Sequence, residues 1–220
     1  EINKMKKIRV RISSIEPNLI DEEIISLIST SKVLLPHFHI PLQSGSDTIL
    51  KSMKRRYLSQ NYRKVINTIN TTIPNACIGV DVIVGFPGET DEYFNDTLTF
   101  LKSLNIAYLH VFSYSERENT EAINMESQVS SKIKKYRSKI LRNLSDKKQH
   151  LFYQNHIGST QTVLFENQIK NGYIYGFSEN YIKIKSKYTP NLENTLKKVQ
   201  INKIEYNNMT CATGPIINNT

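Results

Sequence analysis

The rhythm of apolar and polar residues changes several times along this chain. "KIRVRISSI" over 7 to 15 alternates and reads as a strand. "IDEEIISLIST" over 20 to 30 then places Ile24, Leu27 and Ile28 at helical spacing behind an acidic first turn. "FHIPL" reads as a second strand, and "SDTILKSMKRR" as a short helix capped by Ser46 or Asp47. Another helix is predicted over roughly 60 to 72. "CIGVDVIVGF" is apolar almost throughout, as befits a parallel strand covered on both faces. In "TDEYFNDTLTFLKSLN", Phe94, Leu98, Leu101 and Leu104 share a helical face, with Thr90 as N-cap. "YLHVFSYS" is a fourth strand. Strands and helices thus alternate, which predicts a parallel sheet or a (β/α) barrel.

A long basic helix follows over roughly 130 to 154, with Ile133, Ile140, Leu144 and Leu151 as its core stripe. From there the period drops to two. "TQTVLFENQ", "GYIYGFSEN", "YIKIKSKY" and "KKVQINKIEY" read as short strands of a small all-β module. Tyr173, Tyr175 and Phe177 share a face, and at least two of them are expected to fill the module's core. Tyr181, Lys183, Lys185 and Lys187 share a strand face opposite Ile182 and Ile184. The final stretch, "NNMTCATGPIINNT", has no period and is expected to be loose.

Charge changes the picture more than length does. The 220 residues carry a formal net charge of +9, which favours an anionic partner, nucleic acid before membrane. Lysines beside aromatics on a small β module suit single-stranded or loop RNA, which needs phosphate contacts and stacking. No apolar run approaches a membrane span and no secretory signal opens the chain, so the expected setting is the cytoplasm, with no membrane partner. The two cysteines, Cys77 and Cys211, cannot build a disulfide framework or a four-ligand metal site.

Candidate chemistry gathers where strands end: "SSIEP", "QSGSD", "GFPGET" and "SYSER". Open parallel sheets and barrels bind ligands at the carboxyl ends of their strands. Gly85 and Gly88 permit positive φ or close backbone approach to a ligand, and free N–H groups at the next helix start could face an anion. A tight structural turn uses the same residues. Asp81, inside an apolar strand, needs a partner, either a ligand hydroxyl or a basic neighbour. His37 and His39 share a strand face, but no third ligand lies nearby in sequence, so no metal site is assigned.

The segments "RVRISSIEP", "FHIPLQSGSDTILKSMKRRY", "GVDVIVGFPGETDEYFNDTLTFLKSL" and "YLHVFSYSERENT" resemble the radical S-adenosylmethionine methylthiotransferases. The resemblance runs to about position 206. "SSIEP", "PHFHIPLQSGS" and "SYSER" point to the tRNA enzymes that act on threonylcarbamoyl-adenosine next to the anticodon. It implies an α/β fold: the C-terminal part of a radical-SAM partial (β/α) barrel over 1–154, holding barrel strands three to six and the closing helix. A TRAM-type β-barrel that binds tRNA would occupy 155–206, and a loose tail 207–220. It also implies S-adenosylmethionine as cofactor, with Ser14, Glu16, Gln43, Ser44, Asp81, Gly85, Gly88 and Ser113 as candidate contacts. Lys183, Lys185 and Lys187 are the candidate RNA contacts.

The family's CxxxCxxC motif for a [4Fe–4S] cluster, and the cysteines of its upstream domain, are absent from this chain. The expectation is therefore a portion of a longer protein, partnered by tRNA and by its own N-terminal part. The isolated chain is expected to be inactive. The alternatives are a non-catalytic tRNA-binding fragment, or a methylthiotransferase of the isopentenyl-adenosine or ribosomal-protein branch.

Overall fold

A computed structural model describes residues 8–116, 118, 120–206 and 210–217. Its first half is built on a parallel sheet of three strands, β1 (His37–His39), β2 (Cys77–Val84) and β3 (Tyr108–Ser113), in that spatial order. The connections carry helices α1 (Glu22–Thr30), α2 (Asp47–Ser52), α3 (Ser59–Thr72), α4 (Asp91–Ser103) and α5 (Ser131–Gln154). Helix starts are set locally. The Asp21 side chain accepts the N–H of Ile24 at 2.8 Å, and Thr90 accepts that of Tyr93 at 3.3 Å. Each satisfies one backbone donor that the first turn leaves unpaired.

Helices cover one face of the sheet. Phe38, Ile40, Ile78, Val80, Val82 and Val84 are buried there against Tyr62, Ile66, Ile69, Leu101 and Leu141. Each such side chain contributes roughly 1.5–3 kcal/mol of transfer free energy. The other face, bearing His37, His39, Asp81, Tyr108 and His110, opens onto a cavity. The expectation that β2 is covered by apolar packing on both sides is thus corrected: Asp81 interrupts the run because its face is polar.

The second half is a mixed sheet of seven strands in the order β10-β7-β4-β5-β6-β9-β8. These are β4 (Thr160–Lys170), β5 (Tyr173–Ser178), β6 (Lys183–Lys187), β7 (Leu196–Gln200), β8 (Lys203–Glu205), β9 (Cys211–Thr213) and β10 (Ile216–Ile217). The sheet surrounds its own core of Val163, Phe165, Ile174, Ile182, Ile184, Val199, Ile201 and Ala212. Gly176 has no Cβ because one would lie 2.3 Å from the carbonyl oxygen of Leu164 on the neighbouring strand.

Four further expectations are corrected. The described part of the predicted first strand, residues 8–15, does not form one: it makes one bridge, Val10 to Leu34. Arg9 and Arg11 instead reach the second half, where they donate to the carbonyls of Thr162 (3.3 Å) and Ser178 (3.0 Å). The tail is not loose where it is described, because β9 pairs with β6 and β8, and β10 with β7. Those short strands carry too few residues to show a period. On α5 the buried residues are Arg137, Ser138, Leu141 and Tyr153; of the expected stripe, Ile140 and Leu144 pack against the core while Ile133 and Leu151 are exposed. Lastly, Tyr173, Tyr175 and Phe177 stay out of the module's core, which takes Ile174, Gly176 and Ser178 from the same strand.

Candidate functional site

At the carboxyl ends of β2 and β3 lies a groove of about 580 Å³ whose walls include Arg55, Ile83, Phe86, Tyr114 and Met125. Phe86 and Tyr114 meet edge to face at 5.3 Å. The Tyr114 hydroxyl is buried and has no hydrogen-bond partner among the described residues. A buried hydroxyl normally finds a partner, so this one is available to a ligand. Tyr114 is the residue after Ser113 in "SYSER"; its position directly beyond a parallel strand was the signal, and sequence reasoning chose its neighbour.

Of the residues predicted to contact a cofactor, none is among those lining the groove. Glu16 comes nearest, through an ion pair with Arg55 at 3.2 Å. Ser14 and Ser113 are exposed, and Ser14 has a φ of +26°. Gln43 takes a φ of +69°, a conformation that is costly for a residue with a side chain. It allows the Gln43 N–H to reach the Asp81 carbonyl and its own carbonyl to accept the Ile83 N–H, both at 2.9 Å. Ser44 is turned away from the sheet's open face, contrary to expectation. It is fully buried, with its hydroxyl 3.1 Å from that of Thr97 on α4. Gly45 explains the close approach, since a Cβ there would lie 2.8 Å from the Cα of Thr97.

The "GFPGET" turn has positive φ at both glycines, +75° at Gly85 and +81° at Gly88. Three of its N–H groups are already taken. Gly85 donates to the Glu89 carboxylate at 2.9 Å, Gly88 to the Ser127 carbonyl at 3.0 Å, and Glu89 to the Phe86 carbonyl at 2.9 Å. Glu89 is itself buried and paired with Arg137 at 2.6 Å, while Arg137 also reaches Asp91 at 2.7 Å. Burial pushes the Glu89 carboxyl up; the Gly85 N–H and Arg137 act against it.

On the open face of the sheet, Asp81 finds the basic neighbour its position demands: His39 Nε2 lies 2.6 Å from its Oδ1. His37 Nε2 lies 2.9 Å from the Tyr108 hydroxyl. Burial, then Arg11, holds His37 down to about 4. Tyr108 crosses the sheet because residue 79 is glycine; a Cβ there would sit 2.3 Å from its ring. His37 is turned to Tyr108, and the residues that gather beside His39 come from the other strands, Asp81 on β2 and His110 on β3. Both cysteines are buried and free, on β2 and β9, and desolvation raises each thiol. They number two and lie on different sheets, so they do not fit an iron–sulfur cluster held by four thiolates.

The outer face of β5 and β6 carries the basic and aromatic residues in register. Tyr173 pairs with Lys187, Tyr175 with Lys185 and Phe177 with Lys183. Lys183 Nζ lies 5.4 Å from the centre of the Tyr175 ring and 5.6 Å from that of Phe177; Lys185 Nζ lies 4.2 Å from that of Tyr173. Lys185 also pairs with Glu205 at 2.8 Å. Tyr181 is not in this row. Its φ of +65° turns it inward against Phe177 and His37, at 4.7 and 4.5 Å between ring centres.

Comparison with known proteins supports the α/β fold. The Radical SAM superfamily matches residues 1–101. Among solved structures, coproporphyrinogen III oxidase from Escherichia coli, a radical SAM enzyme, has a TM-score of 0.54 at 12% identity. It covers 87% of this chain and 46% of its own, and shows the fold alone. Within that class the relatives are methylthiotransferases. The threonylcarbamoyladenosine tRNA methylthiotransferase MtaB of Aquifex aeolicus (strain VF5) is 40% identical over 80% of this chain and 42% of its own. That of Bacillus subtilis (strain 168) is 38% identical over 90% and 45%. The tRNA-2-methylthio-N(6)-dimethylallyladenosine synthase of Endomicrobium trichonymphae is 39% identical over 80% and 42%. By sequence the chain is a relative of the radical SAM methylthiotransferases. It spans less than half the length of these curated relatives.

Proposed function

We propose that this chain is the part of a tRNA methylthiotransferase that binds S-adenosylmethionine and tRNA. The whole protein would add a methylthio group to threonylcarbamoyl-modified adenosine next to the anticodon. S-adenosylmethionine, when bound, would supply the radical and the methyl group. The groove at the strand ends suits it: Ile83 and Phe86 offer apolar walls, and the buried Tyr114 hydroxyl lacks a partner among the described residues. Glu16, held by Arg55, would meet the cofactor's polar end, and Gln43 would present its side chain from a strained backbone. Glu89 and Arg137 would fix the turn without touching the ligand. Cluster ligands are not supplied by Cys77 or Cys211, so no step is assigned through them.

The observation that carries the reading is the register of Tyr173, Tyr175 and Phe177 with Lys187, Lys185 and Lys183 on an open face. Alternate residues on a strand stand ~6–7 Å apart, near the phosphate spacing of an RNA strand, and the rings between them offer stacking surface. The seven-stranded unit would thus serve as a TRAM-type RNA-binding module. Lys185 is partly neutralised by Glu205, so Lys183 and Lys187 are the principal phosphate contacts. Changing both to Gln should reduce the slope of log affinity against log salt by about 1.4–1.8. Filter binding of tRNA across a salt series measures it. An unchanged slope would move the interface to the basic helix α5.

The burial of both cysteines favours a second reading, in which the chain alone binds tRNA without catalytic competence. Anaerobic reconstitution with iron and sulfide separates the two. A stoichiometric cluster on this chain would sink the second reading.

A further inference from the structure

We propose that His39, Asp81 and His110 bind one divalent transition-metal ion, of the zinc, cobalt or iron(II) kind, on the open face of the parallel sheet. The site lies apart from the strand-end groove, and its cavity also takes in Phe177 and Lys183 of the proposed RNA face. Alternation puts all three side chains on one face, and the sheet order puts β2, with Asp81, between the two histidine-bearing strands. Asp81 is in register with His110 on β3, and His39 is in register with Gly79, two residues before Asp81. Glycine at 79 leaves room beside them, where Tyr108 crosses to His37.

The donor atoms of the three residues all lie within 4.8 Å of one another. Among the described residues no other such group of histidine, cysteine and acidic side chains is found. A tetrahedral ion with bonds of about 2.0–2.1 Å needs donors about 3.3 Å apart. The His39–Asp81 pair, at 2.6 Å, must open slightly and His110 must swing inward. Both are side-chain rotations, since the strand register already sets the backbones. His110 is free to make the movement. Its ring lies near those of His39 and Tyr108, at 5.2 and 5.1 Å, and its side chain makes no hydrogen bond among the described residues.

The choice of donors sets the class of ion. Two imidazoles and one carboxylate suit zinc, iron(II) or cobalt(II); magnesium and calcium prefer oxygen alone. Three protein ligands leave at least one position open, the pattern of reactive rather than structural centres. That position faces a cavity of about 620 Å³, lined in part by His37, Tyr108, Phe177, Tyr181 and Lys183. The competing interpretation is a plain hydrogen-bonded His39–Asp81 pair with His110 packed beside it. It predicts no specific affinity for any ion.

The test uses the whole chain, free of any histidine tag and stripped by a chelator. Cobalt(II) is titrated anaerobically and followed by visible absorption; zinc then displaces it, followed by calorimetry. The expected result is one ion per chain, with d–d bands that saturate at one equivalent. His39→Ala, Asp81→Asn and His110→Ala should each weaken binding by at least about tenfold. His150→Ala, which removes a histidine stacked on Tyr206, should leave it unchanged. His110 is exposed, so its variant keeps the wild-type circular dichroism and reads the site separately from the fold. No saturable binding, or one-to-one binding that survives all three changes, would overturn the proposal.

Discussion

In β2, Ile78, Val80, Val82 and Val84 face the helices, while Gly79 and Asp81 lie on the opposite face, whose His39, Tyr108 and His110 line a cavity. In β5, Ile174, Gly176 and Ser178 face the inside of the second unit, while Tyr173, Tyr175 and Phe177 look outward. Both strands alternate, but the better side chains for packing lie on opposite kinds of face. The parallel sheet buries its aliphatic residues and keeps its chemistry in a recess. The mixed sheet has a core narrow enough to need glycine, so its large rings stay out of that core beside lysines, with Phe177 and Lys183 lining the same cavity as the parallel sheet. A recess suits a small ligand or ion held by converging groups. An outward row suits a polymer that lies along it.

The largest effect that would sharpen this contrast lies outside both sheets. Arg137 and Glu89 are buried as an ion pair. Arg137→Met should destabilise the first unit by about 3–5 kcal/mol, because it leaves a buried carboxylate unpaired. Chemical denaturation should show Arg137→Met with Glu89→Gln to be milder than the single change.

The two strand glycines come next. At Gly176 an added methyl meets the backbone of β4, while at Gly79 it meets the ring of Tyr108, which can move. Gly176→Ala should therefore cost at least about 3 kcal/mol, and Gly79→Ala about 1–3. Adding Tyr108→Ala should offset part of the clash in the Gly79 variant and do nothing for the Gly176 variant. Thermal melts of the four proteins check this; equal costs at the two glycines would break the comparison.

A smaller effect concerns the outward row. Glu205→Gln releases Lys185, so the salt slope for tRNA binding should steepen by about 0.7–0.9. The smallest is a pH effect on the same pair. The hydrogen bond from Lys185 is the main cause holding the Glu205 carboxyl below its usual range. Its stabilisation is present above the ordinary carboxylate range, about 4.3, and is lost as pH falls through the lower folded value. Both groups are near the surface, so the loss should stay under about 1 kcal/mol. Wild type and Glu205→Gln melted between neutral and acid pH should converge as the pair is protonated.

Much of this fold is legible in the sequence where one local cause suffices. Thr90 caps α4 as its spacing predicts, and α5 runs over 131–154 against an expected 130–154. Asp81 announces a partner because a carboxylate in an apolar strand needs one. What escapes the sequence depends on residues far along the chain. Arg137 is buried because Glu89 lies 48 positions away, so an apolar stripe drawn on α5 misses it. The aromatics of β5 go outward because β4 leaves no room inside, which no alternation reveals. His110 joins His39 and Asp81 only once three strands are laid side by side. Ser44 is tied to Thr97 on α4, 53 positions away, a contact that no local pattern reveals.

Helix α5 has 24 residues, so it is a strut about 36 Å long. Near its start, Arg137 holds the Glu89 carboxylate that receives the Gly85 N–H. Near its end, the Tyr153 hydroxyl accepts the Lys183 N–H at 3.0 Å, the first residue of β6. The turn beside the groove and the lysine row are therefore fastened to opposite ends of one stiff rod.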